Sequence, residues 1–119
     1  MNAQKFLETY ARAWETRDAE LVLTLFTEQA TYQEDPFDEP IRRRDGIRAY
    51  WEGATGQQKD IRVSWGEHVV VGNTLIAEWR ACYTHIQSGE RRELRGILLA
   101  EFEGERVRRF REYWHRRVL

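Results

Sequence analysis

The sequence predicts an α+β domain in which three N-terminal helices pack on a strongly curved, mostly antiparallel sheet. Two observations carry that prediction. Apolar residues recur at three-to-four spacing in the N-terminal half and at period two in the C-terminal half, which is the change from helix to strand geometry. Tight-turn signals then divide the second half into four long strands. At 119 residues the chain makes a single domain, residues 1–119, because roughly 100 to 150 residues usually share one core.

From Gln4 to Arg17, Phe6, Leu7, Tyr10, Ala11 and Trp14 stack on one helical face. Asp18 is placed to cap a second helix carrying Leu21, Val22, Leu25 and Phe26, and Ala30 to Gln33 reads as a short strand. The chain then meets Glu34-Asp35-Pro36. Proline restrains the residue before it to extended geometry, so Asp35 is expected to project from a fixed loop. Ile47, Tyr50, Trp51 and Ala54 mark the third helix, and a polar stretch runs from Gly53 to Asp60. Beyond it Ile61, Val63 and Trp65 alternate with polar residues. Gly72-Asn73, Ser88-Gly89 and Glu103-Gly104 are the turns of a four-stranded meander whose later strands cover Thr74 to Ile86, Arg92 to Phe102 and Arg106 to Arg117.

Period two assigns faces. Leu75, Ala77, Trp79, Ala81, Tyr83 and His85 share one side of their strand, and Leu94, Leu98, Ala100 and Phe102 share one side of the next. On the last strand Phe110, Glu112 and Trp114 face together, which puts one acid on an otherwise aromatic surface.

Charge excludes several function classes. The net charge of -1 conceals five acids and no base from Glu28 to Glu39 and six arginines from Arg106 to Arg117. Those arginines alternate with Val107, Phe110 and Trp114, as on the wet or subunit-facing side of a strand, so no nucleic-acid partner is expected. The single cysteine, Cys82, allows no intrachain disulfide. No apolar run approaches the roughly 20 residues of a membrane span, and the N-terminus lacks a signal peptide's apolar segment. A cytoplasmic protein is expected, with no membrane partner. His68, His85 and His115 lack ligand spacing, and there is no flavin motif or phosphate loop, so neither metal nor cofactor is expected.

The order of these segments resembles the nuclear transport factor 2-like superfamily, specifically its SnoaL-like branch. The resemblance rests on Trp14-Glu15-Thr16-Arg17-Asp18, Leu25-Phe26, Ala30-Thr31-Tyr32, Ile47-Arg48-Ala49-Tyr50-Trp51, and Glu105-Arg106-Val107 leading into Arg111-Glu112-Tyr113-Trp114. It covers nearly the whole chain. It implies a cone-shaped α+β barrel and a homodimer formed through the outer sheet face. The superfamily includes enzymes, binding proteins and transport adaptors, so the fold alone assigns no reaction.

The N-terminal third is similar to the ketosteroid isomerases, which use a tyrosine on the first helix, a carboxylate base after the first strand and a neutral aspartic acid on a later strand. Tyr10 matches the tyrosine, and Glu34 or Asp35 matches the base, depending on register. The later acid falls near Leu98, an apolar residue. The aspartate-arginine-aspartate set of the superfamily's epoxide hydrolases is not reproduced around Arg95 and Ile97. Cyclases of the SnoaL type use an acidic general acid/base without a cofactor, a role open to Asp35 or Glu112.

The catalytic candidates are therefore Asp35, Tyr10 and Glu112, with His85 at the rim. Asp35 stands among Glu28, Glu34, Asp38 and Glu39, and a buried Glu112 needs a partner or neutralises. Trp14, Tyr32, Trp51 and Trp79 are candidates for the wall of a hydrophobic pocket, together with Tyr83, Leu98 and Phe110. Rings that surround a cavity imply a small, largely apolar, cyclic ligand with one carbonyl or hydroxyl. The expected function is binding of such a molecule, with acid/base turnover of isomerase, cyclase or hydratase type. The alternative is a dimerisation or ligand-sensing domain.

Overall fold

The computed structural model describes all of residues 1–119. Helix α1 covers Ala3–Thr16, and the Asn2 side chain accepts from the Lys5 amide at 3.0 Å to satisfy one of its free N–H groups. Helix α2, Ala19–Leu23, is capped by Asp18, which accepts from the Leu21 amide at 3.0 Å. Strand β1 is Phe26–Gln33, β2 is Ile41–Arg42 and helix α3 is Arg43–Thr55. The long strands follow as β3 (Gln58–Val71), β4 (Thr74–His85), β5 (Arg91–Glu103) and β6 (Arg106–Val118).

The helical pattern through Leu25 and Phe26 does not persist, since α2 stops at Leu23 and Phe26 opens β1. Phe26 pairs with Val107 of β6, and the Val107 amide donates to the Leu25 carbonyl at 2.8 Å, so long-range pairing overrides the local periodicity. The short strand expected at Ala30–Gln33 is the C-terminal half of β1. Strand β2 has too few residues to show a period, and the end of the polar stretch, from Gln58, belongs to β3.

The sheet order is β2-β1-β6-β5-β4-β3. Strands β3 to β6 form the expected antiparallel meander, while β1 joins parallel to β6 and pairs antiparallel with β2. Register shifts within β3, between Lys59 and Arg62 and between Trp65 and His68, are irregularities of the kind that bend a strand. The sheet curls without closing, leaving β2 and β3 as its edges. Helix α1 packs across β3, and α3 lies against β1. No helix is long and apolar enough to cross a membrane.

Cross-strand register sorts the concave face into rows running from the closed end to the mouth: Leu75–Ala100–Phe110, Ala77–Leu98–Glu112, Trp79–Gly96–Trp114, Ala81–Leu94–Arg116 and Tyr83–Arg92. Small residues at Ala77, Ala81, Gly96 and Ala100 make room for the rings beside them. Gly96 stands between two tryptophans, and a Cβ there would lie 2.3 Å from the Tyr113 carbonyl oxygen and 2.7 Å from Trp114 Cβ. Gly96→Ala is therefore expected to force β5 and β6 apart and cost about 1–3 kcal/mol in urea denaturation. An unchanged midpoint would show that the strands absorb the methyl group.

The convex face is polar. Glu93 is buried there beneath three guanidinium groups, with hydrogen bonds from Arg80, Arg95 and Arg117. Burial alone would push its carboxyl up, but the hydrogen bonds from Arg117 and Arg80 prevail and hold it down at about 2.

Candidate functional site

Between the helices and the concave face lies a cavity of about 500 Å³. Helix α1 places Tyr10 and, one turn later, Trp14 on its wall, because residues four apart share a helix face. Helix α3 supplies Tyr50 and Trp51, β1 supplies Tyr32, and the residue directly after β1 is Glu34. The sheet contributes Trp79 and Tyr83 from β4, Arg92 and Leu94 from β5, and Glu112, Trp114 and Arg116 from β6.

The deep end holds a hydrogen-bonded chain. Tyr32 Oη donates to Glu112 Oε1 at 3.2 Å, which leaves its oxygen to accept from Tyr10 Oη, 3.0 Å away. The chain is held by stacking, with the Tyr32 and Phe110 ring centroids 4.6 Å apart and those of Tyr10 and Phe110 5.5 Å apart. Glu112 is only 5% exposed, and its Oε2 is sealed from solvent with no partner. A second pair stands nearby, where Tyr50 Oη donates to Glu34 Oε2 in a short hydrogen bond. The Tyr32 and Tyr50 ring centroids lie 5.3 Å apart, so the two pairs share one aromatic wall.

Of the two acids, burial acts on Glu112. Burial pushes the Glu112 carboxyl up to about 8, and the negative charge of Glu34 adds to the rise, against a smaller opposing effect of the Tyr32 hydrogen bond and the nearby Tyr10 hydroxyl. Glu112 is thus neutral at physiological pH and has a proton to give. Burial, and then the charge of Glu112, raise Tyr10 and Tyr32 well above the usual phenol range, while burial and Glu34 do the same for Tyr50. All three hydroxyls remain protonated donors. A carboxyl able to donate a proton, Glu112, and a second carboxyl, Glu34, held by Tyr50, therefore share the same cavity, and paired acids of this kind are what acid/base sites are built from.

The candidates read from sequence fall into three groups. Tyr10, Glu112, Trp14, Tyr32, Trp51, Trp79 and Tyr83 line the cavity, as does His85, whose Nδ1 lies 2.8 Å from Ser88 Oγ. Leu98 and Phe110 are fully buried beneath the cavity and do not line it. Asp35 is exposed outside the cavity, where its Oδ1 accepts from the Phe37 amide at 2.9 Å; of the two registers left open, Glu34 is the one on the wall. Among the lining residues that the sequence reading did not single out are Tyr50, Arg92 and Arg116. For Arg116 the signal was present, since period two carries it onto the face of Glu112 and Trp114. No group of three or more His, Cys, Asp or Glu side chains is arranged to hold a metal ion.

Helices laid on a curled, open six-stranded sheet around a cavity define the nuclear transport factor 2-like class. Residues 7–110 match the SnoaL-like domain, and the chain belongs to that family. Among solved structures it is similar to a hypothetical protein with a ketosteroid isomerase-like fold from Catenulispora acidiphila, in complex with trimethylamine. The identity is 15% and the TM-score 0.83, over 94% of this chain and 86% of that one. It is also similar to SalBIII, an epoxide hydrolase/cyclase-like enzyme with a role in pyran ring formation in the polyether salinomycin. There the identity is 19% and the TM-score 0.82, over 98% of this chain and 95% of that one. An LEH-like epoxide hydrolase from Mycobacterium tuberculosis aligns at 15% identity and TM-score 0.76, over 93% of this chain and 80% of that one. Likeness at these identities is likeness of fold. No curated protein matches the chain in sequence.

Proposed function

We propose that this SnoaL-like protein binds a small, largely apolar, cyclic molecule and turns it over by cofactor-independent acid/base chemistry of isomerase, cyclase or hydratase type. The observation that carries the reading is the pairing of a neutral Glu112, at the end of the Tyr10–Tyr32 chain, with a hydrogen-bonded Glu34 on the wall of one cavity. A cavity of about 500 Å³ suits a ligand of drug-like size. In this reading Glu34 takes a proton from carbon or from water, and Glu112, whose Oε1 accepts from Tyr32 and whose Oε2 has no protein partner, supplies one to the substrate oxygen. Proton transfer by positioned groups of this kind contributes about a hundred to ten thousandfold in rate.

Proton–deuterium exchange at the carbon beside the carbonyl of β-tetralone, followed by NMR in heavy water, tests the proposal without knowledge of the natural substrate. Exchange well above the buffer rate is the expected result. Binding of β-tetralone with no acceleration would make the domain a ligand sensor instead.

We further propose that two copies associate through the convex sheet face. Ile97 and Tyr113, opposite each other in the β5–β6 register, are 43% and 46% exposed there, which is unusual for large apolar residues at the middle of a sheet. Ile97→Arg is expected to convert a dimer to a monomer in sedimentation equilibrium. A monomeric natural protein would overturn this pairing.

A further inference from the structure

The cavity is electrically polarised along β6. Its acidic and basic lining groups, the tyrosines apart, are Glu34 and Glu112 at the deep end and His85, Arg92 and Arg116 toward the mouth. Two of the three at the mouth are already engaged. The Nε and Nη2 of Arg92 both donate to Glu90 Oε1, at 3.1 and 2.8 Å, so its charge is met, and the His85 ring is paired with Ser88. Arg116 has no carboxylate or carbonyl partner and is exposed at the mouth. On the opposite face of the same strand Arg109, Arg111 and Arg117 each reach a glutamate, whereas Arg116 reaches none.

The geometry points to Arg116 as a recognition residue for an anionic oxygen group, such as a carboxylate, carried on the end of the ligand opposite the oxygen that meets Glu112. This inference rests on the reading of the cavity as a ligand site and narrows the ligand to an amphipathic cyclic acid. A guanidinium presents paired donors that match a carboxylate, and Arg116 has them free. Glu112 and Arg116 lie four residues apart on one face of β6, a rise of about 13 Å, which spans a ring system of one or two rings with its polar ends. The Trp79–Gly96–Trp114 row lies between them and meets the apolar body. A cationic ligand would face Arg116 as a like charge, and a neutral one would leave it unused.

The test compares naphthoate with its uncharged analogue naphthamide by isothermal titration calorimetry, on the natural protein, on Arg116→Gln and on Arg109→Gln at the convex face. Naphthoate is expected to bind the natural protein about tenfold more tightly than naphthamide, an advantage reduced by salt because the mouth is open to solvent. That ratio should collapse in Arg116→Gln and persist in Arg109→Gln. Because it is taken within each variant, any general loosening of the cavity cancels. If naphthamide binds as tightly as naphthoate, or the advantage survives Arg116→Gln, or Arg109→Gln abolishes it equally, the assignment of Arg116 is overturned and the cavity reading stands. If neither compound binds, both fall together.

Discussion

Replacing Glu112 with glutamine is expected to stabilise the protein in alkaline solution, by as much as about 5 kcal/mol, while changing little in acid. The sign follows from burial. The folded protein holds the Glu112 carboxyl at about 8, above the ordinary glutamate value, so over that interval the native state binds the proton more tightly than the unfolded chain. Stability from this group is complete below the unfolded glutamate pKa and declines as pH rises through about 8. Above that point an uncompensated charge sits beside the negative Glu34. Glutamine has the shape of the protonated acid, can accept the same hydrogen bond from Tyr32 and never ionises, so its stability carries no slope from this position. Urea denaturation of both proteins should give stabilities that agree in acid, draw apart from the unfolded glutamate pKa up to about 8 and keep the full difference in alkali. Parallel curves would mean that Glu112 is ionised throughout and that the deep end of the cavity is wetter than its burial implies.

The second large effect concerns Glu34. If its carboxylate accepts the proton, Glu34→Gln should slow exchange on β-tetralone by about a hundred to ten thousandfold. Glutamine can still accept the Tyr50 hydrogen bond, so the cavity wall is preserved and the loss reports on basicity. Asp35→Asn, whose side chain meets only the Phe37 amide, should leave the rate where it was. The reverse pattern would return the base to Asp35 and require its loop to fold inward when a ligand binds.

Much of this cavity's lining is legible in the sequence, because strand periodicity is a strong constraint. Alternation alone placed Glu112 beside Phe110 and Trp114, and Trp79 beside Tyr83, and helical spacing put Tyr10 and Trp14 on the buried face. What sequence could not supply were relations between distant segments. The choice between Glu34 and Asp35 depends on where β1 ends, and that is set by its parallel pairing with β6 through Tyr32 and Gln33. The same pairing draws Phe26 out of a helical pattern. Tyr50 has the helical spacing of a core residue, and only the approach of α3 to β1 shows that its hydroxyl serves Glu34. Arg116 was obscured by its neighbours, since a run of arginines reads as one wet surface although alternate members lie on opposite faces.

Infrared spectroscopy of the Glu112 carboxyl would bear most directly on whether this cavity is an acid/base site. The difference spectrum between the natural protein and Glu112→Gln isolates the carbonyl stretch of a protonated, buried acid. That band should be present at neutral pH and disappear with a midpoint near 8. A band absent at neutral pH, or one that titrates in the ordinary glutamate range, would show that Glu112 holds no proton to donate and would remove the acid from the proposed reaction.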